Sequence, residues 1–203
     1  MASFTRKAIM DSFMKLVDQR PISKITIKDI VEDCGVNRNT FYYHFADIPA
    51  LIEAIVHDQA EELIRNHSTI TTIEDALNVA VDSILQHRRA ALHIFNSVSR
   101  DVYERYLMQI CQDAVEKCFD AIIGERRVSP QDREILILSY RAWCFGLVID
   151  WLDHGLKDDI HPTLTRMCEL HKGMIEEMAS RCIIESPSAK PKRRPLQRAV
   201  PSF

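Results

Sequence analysis

A chain of 203 residues, 46% hydrophobic and 27% charged, has room for one domain or two small ones sharing a core, and its profile is that of a soluble globular protein. Five glycines and little β-branched alternation argue against a sheet and predict an all-helical chain. The net charge of −3 does not by itself suggest nucleic acid, but it is unevenly spread: residues 186–203 hold five Lys/Arg and no acid, 1–185 hold 21 basic against 29 acidic residues, and 1–50 hold seven against six.

In chain order, the first helix is predicted from about Ser3 to Gln19, with Phe4, Ala8, Phe13, Leu16 and Val17 at roughly helical spacing and Pro21 ending it. Thr26 is a suitable N-cap for "IKDIVEDC" and Gly35 a suitable C-cap. Asn37 can cap "RNTFYYHF", and Asp47 can cap a long helix with Pro49 in its first turn. From Thr72 two helices follow with a break near Arg88. A further helix closes at Gly124, another runs from Pro130 to Gly155, and a last one runs from Pro162 to about Ile183. The total is about nine helices: three short ones forming a small N-terminal domain, residues 1–46, then a larger helical bundle, residues 47–185, with 47–67 as the connecting helix, and the Pro-rich basic stretch 186–203 is an expected disordered tail. That tail is either a solvated terminus or a nonspecific DNA-binding arm.

The N-terminus "MASFTRKAIMDSFMKLV" lacks the apolar run of a signal peptide. No stretch is expected to reach the ~18 apolar residues of a membrane span. A cytoplasmic protein without a membrane partner follows. Six cysteines, at 34, 111, 118, 144, 168 and 182, form no CxxC and read as buried free thiols. Cys168 and His171 with His161, or His93 with Cys111 and Cys144, have ligand-type side chains, but no second tight pair completes a metal set, so no metal or cofactor is expected.

The stretch "VNRNTFYYHF", Val36 to Phe45, is too polar for a core helix and too aromatic for a solvated one. Only "GVN" separates it from the preceding helix. Ile27, Ile30, Val31, Val36, Phe41 and Phe45 can form one apolar cluster with the first helix, the pattern of a helix-turn-helix. The other side carries Arg38, Asn39, Tyr42 and Tyr43. Arg can make two hydrogen bonds to guanine and Asn two to adenine. Thr40, Tyr42 and His44 have polar tips suited to phosphate oxygens, and tyrosine rings suit sugar edges and thymine methyls. Thr26 and Lys28 stand at the start of the preceding helix, where free N–H groups favour a phosphate. The candidate DNA-binding residues are therefore Thr26, Lys28, Asn37, Arg38, Asn39, Thr40, Tyr42, Tyr43 and His44. A purely structural alternative, in which Tyr42, Tyr43 and His44 pack between domains, leaves the run Asn37, Arg38, Asn39 unexplained.

Over the 31 residues "ITIKDIVEDCGVNRNTFYYHFADIPALIEAI", the chain resembles the DNA-binding domain of the tetracycline-repressor (TetR/AcrR) family. Thr26, Ile30, Gly35, Val36, Thr40, Tyr42, His44, Phe45 and Leu51 match that family's motif. The resemblance implies a homodimeric, all-helical transcription regulator whose C-terminal bundle holds the dimer interface and usually an effector pocket, with effector binding lowering DNA affinity. Most such proteins repress and some activate. Two residues depart from the pattern. Ile48 stands where the family often has a phosphate-contacting lysine, and Asn39 where it often has a small residue.

Downstream, "AWCFGLVIDWL" is apolar on nearly all faces, which suggests burial against both its own bundle and a second subunit. Gly146, Ile149, Trp151, Met167 and Met174 are the candidate dimer-interface residues. This region is similar to the C-terminal domain of TetR-type regulators of Firmicutes, including those of dihydroxyacetone kinase operons. His93, Asn96, Tyr103, Tyr106, Cys111 and Trp143 are the candidate lining of a small-molecule pocket, the alternative being an ordinary core with satisfied polar groups.

The leading reading is a ligand-responsive repressor that binds a palindromic operator on double-stranded DNA as a dimer. Its alternatives are an activator, or a regulator sensing a partner protein. An enzyme would need a nucleophile elbow, P-loop, HExxH or paired carboxylates, and none is present. An interaction protein that has lost DNA binding finds support only in Asp47–Ile48 and the near-neutral first 50 residues.

Overall fold

The computed structural model describes residues 2–184, and the expected basic tail over 186–203 lies outside the described residues. The described residues form α1 (Ala2–Gln19), a 3-10 turn (Ile22–Lys24), α2 (Ile27–Cys34), α3 (Arg38–His44), α4 (Ile48–Asn66), α5 (Ile73–Gln86), α6 (Arg88–Phe95), α7 (Arg100–Ile123), α8 (Pro130–Asp153), α9 (His161–His171) and α10 (Met174–Arg181). The fold is all-α, with ten α-helices where about nine were expected. The extra one arises because Gly173 adopts φ 83°, ψ −11° and breaks the last predicted helix in two. That left-handed conformation costs a glycine little.

Helix α1 turns Ile9, Phe13 and Val17 fully inward, while Phe4, counted on the apolar face in the sequence, is 83% exposed. These side chains meet Ile30, Val31, Phe41 and Phe45 from α2 and α3, and Leu51, Ile52 and Ile55 from α4, in one core that extends to Ala90 and Ile94 of α6. Burying a side chain such as Phe13 or Phe41 stabilises by about 1.5–3 kcal/mol. A second core joins α5 through α9 around Val81, Phe95, Val115, Val148 and Leu152. Helix α7 packs along both α4 and α8, and α1 lies against α6 as well as α2. Displacement of the bundle can therefore reach the first three helices by two routes.

Helix α8 corrects one expectation. It contains an 18-residue window of mean hydropathy 1.5, long and apolar enough by length and composition to cross a membrane. Isolated polar residues such as Ser139 and Arg141 obscure this in the sequence. In the fold the helix is a packed element of the second core, and 39% of that window is buried. The chain then turns sharply at Gly155 and Leu156, with φ of 75° and 56°. The left-handed leucine costs roughly 1–2 kcal/mol. Leu156 is only 3% exposed, and its carbonyl accepts a 2.8 Å hydrogen bond from Arg88. The indole N–H of Trp151 donates to the Asp158 carbonyl at 3.0 Å. Burial and these bonds hold the strained turn.

Candidate nucleic-acid interface and bundle cavities

Local chemistry builds the α2–α3 unit. The Thr26 hydroxyl accepts from the Asp29 N–H, and the Asp29 carboxylate accepts from the Thr26 N–H at 2.8 Å, a reciprocal capping box. Those bonds, with the Arg20 guanidinium 3.1 Å away, hold the Asp29 carboxyl below its ordinary range; the Thr26 hydroxyl is the largest cause. Gly35 closes α2 at φ 69°, ψ 25°, and Val36 N–H donates back to the Val31 carbonyl. Asn37 then caps α3, its side-chain oxygen accepting from the Thr40 N–H at 2.8 Å and from the Thr40 hydroxyl at 3.1 Å. Both short helices are thus specified by residues at their own ends.

The two faces of α3 differ sharply. Phe41 is fully buried and Phe45 is 4% exposed, with ring centroids 5.9 Å apart. Opposite them Asn37, Arg38 and Asn39 are exposed, Tyr42 is 55% exposed and Tyr43 79%. Among the described residues no acidic group lies in ion-pair range of Arg38, whereas Lys15 and Arg20 are engaged with Asp33 and Asp29. Tyr43 and His44 meet edge to face at 5.0 Å. Thr26 and Lys28 are exposed at the start of α2, with Lys28 3.6 Å from Glu32. Thr40 is half-buried and donates its hydroxyl to Asn37. All nine candidate residues therefore lie on α2, α3 or their caps, and five of them, Asn37, Arg38, Asn39, Tyr42 and Tyr43, are open to solvent beside one another on α3 and its cap. Ile48 packs half-buried against the first core, which accounts physically for an apolar side chain at that position.

The candidate pocket residues do not converge. Tyr103 and Tyr106 line a cavity of about 70 Å³ between α4, α5, α6 and α7, together with Met14 at the edge of α1. Burial pushes the Tyr103 hydroxyl well above its ordinary pKa. His93 instead spans to α1, its Nδ1 2.7 Å from the Val17 carbonyl. Asn96 is exposed and donates to the Leu92 carbonyl. Cys111 is buried in the second core, its thiol pushed up to about 12 by desolvation. Trp143 lines a different cleft, described below. Gln59, Ser83 and His87 supply the remaining polar lining of the cavity, and Gln59 and Ser83 were missed in the sequence. A signal existed for the first two: Gln59, itself exposed, stands at helical spacing between Val56 and Leu63 of α4, and half-buried Ser83 stands beside Ala80 and Ile84 of α5.

The candidate dimer residues also divide. Trp151 is 6% exposed inside its own core and so has little ring to offer a second subunit. Gly146 is exposed, and nothing lies within 4 Å of where a Cβ would stand. It continues an exposed stripe of α8 through Ile135, Leu138 and Ala142, with Ile149 half-buried at its end. Met174 is 45% exposed and Met167 half-buried. All six cysteines are free. The residues weighed as metal ligands are engaged elsewhere. His161 sits between Asp159 at 2.7 Å and Asp82 at 3.1 Å, and His171 bonds the Met167 carbonyl. Among the described residues no three His, Cys, Asp or Glu side chains group as a metal site.

Residues 9–55 match the profile described as "Bacterial regulatory proteins, tetR family", and residues 71–173, half of the chain, match "Transcriptional regulator C-terminal region". The chain is 27% identical over 140 residues to the HTH-type transcriptional regulator AcrR of Shigella flexneri, covering 68% of this chain and 60% of that protein. It is 27% identical over 115 residues to TtgR of Pseudomonas putida, covering 57% and 52%. The chain thus spans between half and two thirds of the length of these curated relatives. In fold it is similar to the dihydroxyacetone kinase operon activator DhaS, with a TM-score of 0.70 at 16% identity over 85% of this chain and 97% of that one. NalD of Pseudomonas aeruginosa, the secondary repressor of an efflux pump, gives a TM-score of 0.51 at 19% identity, over 92% and 98%.

Proposed function

The chain belongs to the TetR family of bacterial transcriptional regulators, and from that premise we propose that it binds a palindromic operator as a homodimer and releases it on binding an effector. The supporting observation is the division of α3 between buried Phe41 and Phe45 and exposed Arg38, Asn39, Tyr42 and Tyr43. Such a helix can enter a major groove while its other side stays in the core.

In this reading residues 1–46 are the DNA-binding domain and 47–185 the effector and dimer domain, with 47–67 connecting them. Arg38, Asn39 and Tyr43 read bases, and Tyr42 and His44 hold phosphates. Thr26 and Lys28 engage a further phosphate at the start of α2, where the helix dipole favours an anion. Thr40 exchanges its bond to Asn37 for a phosphate oxygen, while Asn37 keeps its cap through the Thr40 N–H. The exposed stripe Ile135, Leu138, Ala142 and Gly146 on α8, with Met167 of α9 and Met174 of α10, supplies the dimer face. Its small residues allow a second helix to approach closely. The two recognition helices then address half-sites one helical turn apart, about 34–36 Å, or a multiple of it.

The effector, a small molecule, enters between α4 and α7 at the cavity lined by Tyr103, Tyr106, Gln59, Ser83 and His87. At about 70 Å³ this cavity is below the ~300 Å³ at which ligand pockets begin, so binding parts α4 from α7 and swings α4, which carries the DNA-binding helices. Repression is the adopted sign, as in NalD. The small cavity favours a second reading in which a partner protein is sensed, and DhaS, an activator by name, favours activation. Selection of bound sequences from a random double-stranded pool tests the proposal. A two-fold-symmetric consensus is expected; no enrichment at low salt would contradict it. A reporter fused to the gene's own promoter fixes the sign.

A further inference from the structure

A second cleft, of about 380 Å³, lies at the joint between α9 and α10, where α5, α7 and α8 also meet. Its walls include Cys118 and Ile122 of α7, Tyr140 and Trp143 of α8, His171 at the end of α9 and Glu176 of α10. Its volume falls within the range of about 300–1,000 Å³ that holds small molecules, and one observation distinguishes it from an ordinary surface groove. Tyr140 is 7% exposed and its hydroxyl, shut away from solvent, has no hydrogen-bond partner in the protein. An orphaned buried hydroxyl is destabilising, and a ligand group that displaces the side chains covering it can remove that cost.

The chemistry of the walls selects the ligand. Trp143 packs on His171 with ring centroids 4.9 Å apart and tilted by 48°, and Tyr140 meets Trp143 edge on at 6.4 Å, which makes an aromatic wall. Nδ1 of His171 donates to the Met167 carbonyl at 2.8 Å, so in the neutral ring Nε2 is an acceptor. Glu74 and Glu176 add two carboxylates against the single ammonium of Lys172. Glu176 is close enough to Tyr140 to help keep its hydroxyl protonated, after burial itself. Acceptors and negative charge therefore outnumber donors around flat rings.

We infer that this cleft binds a planar aromatic amine that is cationic at neutral pH, its ring against Trp143 and its N–H groups directed to Tyr140, His171 and Glu176. The site is separate from the cavity between α4 and α7. Its occupation is measured without DNA, so it stands or falls independently of operator binding.

The probe is 9-aminoacridine, titrated into the full chain by calorimetry and by quenching of tryptophan fluorescence, with 9-anthracenecarboxylate as the anion of similar shape. Saturable 1:1 binding of the amine and at least tenfold weaker binding of the anion are expected. Tyr140→Phe and Glu176→Gln should each weaken the amine by about threefold to tenfold, the range for one hydrogen bond or a charge-assisted one. Tyr140→Phe should leave the unliganded melting temperature unchanged or raised, because it removes a polar group with no partner. Tyr106→Ala, in the other cavity, should leave the amine's affinity unchanged. Absence of saturable binding, equal binding of the two probes, or binding that survives both cleft substitutions but is lost with Tyr106→Ala would overturn the assignment.

Discussion

Nδ1 of His93 lies 2.7 Å from the backbone carbonyl of Val17, across 76 positions of sequence. Val17 is in the last turn of α1, where a carbonyl has no intrahelical partner of its own. The histidine on α6 supplies one and so ties the bundle to the first core. Arg89, also on α6, reaches the next carbonyl, of Asp18, at 3.4 Å. A second tie, the Arg6–Asp58 ion pair at 2.6 Å, joins α1 to α4.

If His93 acts as this tie, His93→Ala should lower unfolding stability by about 0.5–1.5 kcal/mol, the net worth of a single hydrogen bond. Operator affinity without effector should stay within about threefold, while the loss of affinity caused by effector should shrink. Urea unfolding and DNA titration with and without effector measure both.

The helix-turn-helix was legible because its signals are local. Thr26, Gly35 and Asn37 stand at the ends they cap, and Phe41 and Phe45 are four residues apart on one face. The bundle was less legible because its contacts are distant. Nothing near His93 in sequence points to Val17, and Asn96, Cys111 and Trp143 carry suitable chemistry on helices that aim it elsewhere. Gly173 looked like a glycine tolerated inside a helix, and only packing of α9 and α10 on different neighbours makes it a break. Exposure of the α8 stripe could not be read from a helix that is apolar on almost every side.

Phe41 and Tyr42 are neighbours with opposite predicted phenotypes. Phe41 is fully buried, and Phe41→Ala should destabilise by about 3–5 kcal/mol through lost burial and the cavity left behind. Chemical denaturation should show that loss, whereas Tyr42→Ala should unfold at nearly the wild-type midpoint.

His161 gives a pH dependence. Its hydrogen bond to Asp159 raises its pKa above the ordinary 6.5, desolvation opposes that rise, and Asp82 adds to it. With the folded value above the unfolded one, its contribution is fully present below pH 6.5 and is lost as pH rises through the raised value. The melting-temperature difference between wild type and His161→Asn should therefore be larger at pH 5.5 than at pH 8.5. A difference independent of pH would mean that the ion pairs do not form.

The proposed dimer face is tested by Leu138→Asp. Leu138 is 54% exposed, so the substitution adds little strain within one chain but places two carboxylates at an isologous contact. Sedimentation should give a monomer with unchanged helical content, and the two half-sites should no longer be bound together.

The central claim rests on the exposed side of α3. Its most direct test is the affinity of Arg38→Ala and Tyr42→Ala for the selected palindrome, by gel shift, alongside circular dichroism and melting of the same preparations. Both variants should fold as wild type and lose specific binding, by about 1–3 kcal/mol for the bidentate arginine contact alone. Wild-type affinity in both folded variants would contradict the account.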